Sequence, residues 1–88
     1  MHQVKCTVAS VKGNCAAGYK AGDYFWVKES FMVEAGQPKG LCLHALAALA
    51  PYLTAYARHT DPEDWINLKQ TFQCPDDANA VIFRVARE

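Results

Sequence analysis

Between Lys39 and Arg58 the chain carries no Asp, Glu, Lys or Arg, and this uncharged stretch is dominated by alanine and leucine. It constrains the fold more than any other segment, because Ala and Leu are strong helix formers. Leu41, Ala45, Ala48 and Leu49 share one helical face, and Leu46, Leu53 and Ala57 extend the apolar surface. A helix over residues 40–58 is expected, apolar nearly all round and therefore covered on most sides by a sheet. Gly40 suits the cap position and Arg58 the negative end of the helix dipole. Pro51 removes a hydrogen bond and crowds the preceding turn, which predicts a kink near Ala47 to Ala50 or two helices meeting there.

The other segments read as strands and turns. Val4, Cys6 and Val8 alternate with Lys5, Thr7 and Ala9, the pattern of a half-buried strand over residues 3–11, with Cys6 on its apolar side as a small core residue. Gly13-Asn14 marks a turn. The two glycines Gly18 and Gly22, with Lys20 between them and Asp23 after, suggest a constrained loop leading into a second, aromatic strand, Tyr24 to Val27. Phe31-Met32-Val33 extends this strand or adds another, and Glu34 to Gly40 reads as a polar connection. Thr60-Asp61-Pro62-Glu63-Asp64 looks like a short helix start. Alternation from Ile66 to Phe72 predicts a third strand within residues 66–74, and Ala80 to Val85 the last. The polar turn from Cys74 to Asn79 should join these two as an antiparallel hairpin. The sum is one α+β domain spanning residues 1–88, a mostly antiparallel sheet of about four strands packed on one proline-interrupted helix.

Nine basic and nine acidic residues balance to a formal charge of zero, without any Lys/Arg run. This argues against a nucleic-acid footprint or an anionic membrane surface as partner. Neither the N-terminus, which lacks the apolar core of a signal peptide, nor the proline-bearing uncharged stretch reads as a membrane element, so a cytoplasmic location is expected. There, four cysteines are expected as free thiols, metal ligands or redox groups rather than structural disulfides.

Three of those cysteines sit in recognisable segments. Cys15-x-x-Gly18-x-Lys20-x-Gly22-Asp23, Gly40-x-Cys42-x-x-Ala45 followed by Pro51-Tyr52, and Cys74-Pro75-Asp76 before a Val-Ile-Phe strand occur in that order. Together they resemble a family of small uncharacterised prokaryotic proteins about the length of this chain. The resemblance implies that Cys15, Cys42 and Cys74 occupy family motif positions, that Cys6 lies outside them, and that His44 stands where relatives commonly carry an aromatic residue. It implies no activity.

Cys15, Cys42 and Cys74 all fall at the ends of expected elements, where functional groups concentrate. If those ends share one side of the sheet, three thiols converge beside a helix N-terminus, which favours the anionic form of Cys42. Three readings follow. Cys15, Cys42 and Cys74 could bind zinc or iron, or another small ligand, with His44, Asp76 or an exogenous group as fourth metal ligand. Cys42 could instead be a catalytic nucleophile or redox thiol resolved by Cys15 or Cys74, with Asp23 or Asp76 as acid or base. In the third reading the cysteines simply pack, in a module that binds a partner or a second copy of itself through aromatic groups or a sheet edge. Lys20 is expected to be an ordinary solvated lysine, and His2 and His59 carry no site.

Overall fold

The computed structural model describes residues 2–29 and 31–88. Five strands form one sheet in which every neighbouring pair is antiparallel: β1 (Val4–Val11), β2 (Tyr24–Lys28), β3 (Met32–Gln37), β4 (Thr71–Gln73) and β5 (Val81–Arg87), in spatial order β3-β2-β1-β5-β4. Among the described residues one α-helix, α1 (Leu43–Ala57), crosses one face. Among the described residues no helix is long and apolar enough to cross a membrane.

The alternation in β1 is realised as expected: Val4, Cys6 and Val8 are buried, and the residues between them face away. β5 supplies Val81, Phe83 and Val85 to the same side, and β2 adds Phe25 and Val27. Against them lie Ala45, Leu49, Leu53, Tyr56 and Ala57 of α1, a stripe that recurs every three to four residues. Phe83 at the centre meets Tyr19 and Phe25 edge-on, with ring centroids 5.6 and 5.9 Å apart. Arg87 spans the far end, its guanidinium 4.0 Å from the Tyr56 ring centroid while Nε donates to the Tyr56 carbonyl.

Several expectations need correction. The sheet has five strands rather than about four, because Glu34 to Gln37 belong to β3 instead of forming a connection. The helix starts at Leu43, so Cys42 is its N-cap and Gly40 lies outside it. It runs through Pro51 as one helix, with no second helix meeting it there. Only one side is covered: a single sheet layer can bury one stripe, and Leu43, 74% exposed, faces away from it. The third strand expected within residues 66–74 is present as β4, preceded by a 3-10 helix, Trp65–Leu68. Asp64 caps that 3-10 helix, accepting a hydrogen bond from the Ile66 amide.

Candidate thiol-lined site

An all-antiparallel sheet sorts its loops by parity. Alternate strands in the spatial order, β3, β1 and β4, end on one side of the molecule: Val11 at the end of β1 is opposite Val81 at the start of β5, and Gln37 at the end of β3 is opposite Tyr24 at the start of β2. β4 pairs antiparallel with β5 and so runs the same way as β1. Cys15 follows β1, Cys42 follows β3 and Cys74 follows β4. Three cysteines separated widely in sequence are thereby delivered to one edge. β3 is essential to this, since without it α1 would begin at the opposite end of the sheet.

Close loop contacts finish the arrangement. Gly13 sits at φ +73°, and a β-carbon there would lie 2.5 Å from Asn79 Oδ1 and 2.9 Å from the Ala78 carbonyl. That approach lets the Asn14 amide donate to Asn79 Oδ1 at 2.8 Å, docking the loop after β1 onto the β4–β5 connection. Asp76 braces the connection, its Oδ1 accepting from the Ala78 and Asn79 amides at 3.0 Å each. Hydrogen bonds from Asn79, backbone first and side chain second, hold the Asp76 carboxyl below its ordinary pKa.

Each cysteine has its own surroundings. Cys74 takes part in the ladder with both main chain and side chain: its amide donates to the Val81 carbonyl at 3.0 Å, and the Val81 amide donates back to Cys74 Sγ at 3.2 Å. The sulfur replaces the carbonyl partner a continuing strand would offer, and Pro75, lacking an N–H, ends the strand there. The Cys42 amide donates to the Tyr19 hydroxyl at 2.9 Å, and the Cys42 carbonyl accepts from Leu46 to start α1. Cys15 closes a turn by accepting from the Gly18 amide at 3.0 Å.

A cavity of about 310 Å3 opens where these segments meet, lined by Cys15, Cys42 and Cys74 together with His44, Asp76 and Asn79 and by the carbon surfaces of Ala16, Ala17 and Pro75. All three cysteines are half-buried free thiols. Cys6 is far from this edge in character, wholly buried, with its thiol pushed up to about 12 by burial. Among the described residues no group of three His, Cys, Asp or Glu side chains is placed to hold a metal ion, so the sulfurs and His44 share a cavity without forming a donor set as they stand.

Asp23 serves its turn: its carboxylate accepts from the Lys20 amide at 2.9 Å while its own amide donates to the Lys20 carbonyl. Lys20 is exposed. Tyr19 was readable from sequence only as one aromatic among several, yet its buried hydroxyl supports the N-cap of α1. Burial pushes the Tyr19 phenol up, opposed by the hydrogen bond from the Cys42 amide. No protein-family model, curated protein or solved structure matches this chain.

Proposed function

We propose that this cavity binds a small thiophilic ligand, a thiolate-binding metal ion such as zinc or iron or a compact electrophile, through Cys15, Cys42 and Cys74. One observation carries the reading: three free thiols from three separate segments line a single cavity of about 310 Å3. Packing alone does not call for that, because small apolar residues would fill the same half-buried positions without reactive sulfur. A metal ion would draw the sulfurs inward, with His44 or Asp76 completing the set. The kinship suggested by the three cysteine segments belongs to the same proposal and adds no activity to it.

A second reading has its own support. Cys42 is the N-cap of α1 and lacks a side-chain cap bond, so its sulfur stays available at the positive end of the helix for nucleophilic or redox chemistry. Elemental analysis of protein purified without an affinity tag, beside a thiol count before and after unfolding, separates the two. Ligand binding predicts that zinc protects Cys15, Cys42 and Cys74 from alkylation together and that Cys42→Ser abolishes the protection. Failure of zinc to protect, with Cys42 alkylating much faster than free cysteine at neutral pH, moves thiol chemistry ahead. Metal-free protein in which all three resist alkylation when folded sinks both readings.

A further inference from the structure

A second cavity, of about 400 Å3, lies between α1, the 3-10 helix and β4. We propose that it binds a planar aromatic anion, a one- or two-ring acid whose ring lies against Trp65 and Tyr52 and whose charge meets Lys69. The volume falls in the range of small-molecule sites.

Three rings form a graded wall. Phe72 is buried at its base, Tyr52 stacks on Phe72 nearly parallel at a centroid distance of 5.3 Å, and Trp65 meets Tyr52 edge-on at 5.9 Å. Trp65 is 54% exposed, so much of its indole is left to the solvent. Its mounting is nevertheless firm. Asp64 holds the Ile66 amide, Ile66 is 1% exposed beside it, and the Asn67 side chain donates to Thr60 Oγ1 and to the Asp61 carbonyl. A wide aromatic surface held out on an anchored turn is preorganised for stacking.

The polar groups set the charge of the ligand. Lys69 makes no ion pair and lies over no ring among the described residues, whereas Lys28 pairs with Glu34 and Lys5 sits over Tyr24. Trp65 Nε1 and the Tyr52 hydroxyl have no hydrogen-bond partner among those residues either, while the other tryptophan, Trp26, donates from Nε1 to Glu88. No carboxylate lines the cavity. One cation and two N–H or O–H donors beside stacked rings complement a flat acid and disfavour an aromatic cation.

Titration of the full 15N-labelled chain with 1-naphthoate, and in parallel with the neutral 1-naphthylmethanol, tests this by the indole N–H and backbone amide signals. The expected result is a saturable shift of the Trp65 indole and the Thr71 to Gln73 amides, with Trp26 unmoved. Lys69→Ala should weaken naphthoate binding about fivefold without changing naphthylmethanol binding, and Lys69→Arg should restore it. Trp65→Ala should remove saturable binding while the remaining signals report an intact fold. The proposal is overturned by absence of a saturable shift, by equal response of Trp26, by naphthylmethanol binding as tightly as naphthoate, or by Lys69→Ala leaving naphthoate affinity unchanged.

Discussion

Cys6 and the trio Cys15, Cys42 and Cys74 are the same side chain in opposite situations. Cys6 occupies the middle of the central strand β1, paired with Phe25 on one side and Val85 on the other, and is 0% exposed. The trio stands just beyond strand ends, half-buried around a cavity. Residue type does not separate packing from chemistry here; position along the strand does. A strand centre surrounds a thiol with apolar neighbours, whereas strand ends leave it beside loops, polar groups and solvent.

The largest expected effect tests the buried member of this contrast. Burial pushes the Cys6 thiol from an ordinary value near 9 to about 12. Below about pH 9 the thiol is protonated both folded and unfolded and contributes no pH dependence. As pH rises toward 12 the unfolded chain loses this proton and the folded one keeps it, so stability falls, by up to roughly 4 kcal/mol if Cys6 alone is considered. Tyrosines and lysines titrate in the same range. Urea midpoints of the wild type and Cys6→Ala should therefore be compared from about pH 8 to about pH 11. The variant should begin less stable and lose stability less steeply. Parallel curves would show that Cys6 is not sealed in the core, and the contrast with the trio would collapse.

What the sequence revealed follows the same division between strand centres and ends. β1 was legible because its inward residues alternate, and Cys6 could be assigned to packing by that alternation, while β2 and β5 were legible as aromatic and β-branched runs after turn signals. β3 was legible only as an option at Phe31 to Val33, because Glu34, Gly36 and Gln37 resemble a turn, and as an edge strand it needs few buried residues. Reading Glu34 to Gly40 as a connection left open whether Phe31 to Val33 adds a strand, and so hid the alternation of strand direction that carries Cys42 to its companions. The strand expected within residues 66–74 is there, as β4, but the alternation from Ile66 to Phe72 did not show its short extent: Ile66 and Phe72 are both buried, one on a 3-10 turn and the other on the strand. The three cysteines stood out at element ends, while their supports did not. Asn14 and Asn79 are 65 positions apart and Tyr19 and Cys42 are 23 apart, separations at which no local pattern announces a hydrogen bond.

Gly13 offers the next test, one of convergence rather than burial. Gly13→Ala must place a β-carbon against Asn79 and the Ala78 carbonyl in a backbone conformation at φ +73°, and should cost about 2 kcal/mol or more. Gly22→Ala is the matched control, since Gly22 is also at positive φ, +96°, with nothing within 4 Å of the added carbon. The excess cost at Gly13 over Gly22, read from urea midpoints, measures how closely the loop after β1 is docked on the β4–β5 connection. Asn79→Ala should relieve part of the excess, leaving the strain at φ and the Ala78 contact. Equal costs at the two glycines would mean that the loops bearing Cys15 and Cys74 are not held together by this contact.

The smallest effect concerns Cys42, the member of the trio with the longest path to its position. Its amide has the Tyr19 hydroxyl as acceptor, and Tyr19 is itself fixed by its edge-on contact with Phe83 in the core. Tyr19→Phe keeps the ring and removes only the acceptor, so the expected loss is about 1 kcal/mol, the usual net worth of one such bond. The loss should be concentrated at the start of α1, seen as faster amide exchange at Cys42 while Leu53 in the helix interior is unchanged. Stability falling without any local change at Cys42 would place the Tyr19 hydroxyl in general core packing. A local change there, together with faster alkylation of Cys42 but not of Cys74, would identify the phenol as the link by which the core holds the first thiol of the helix in the cavity.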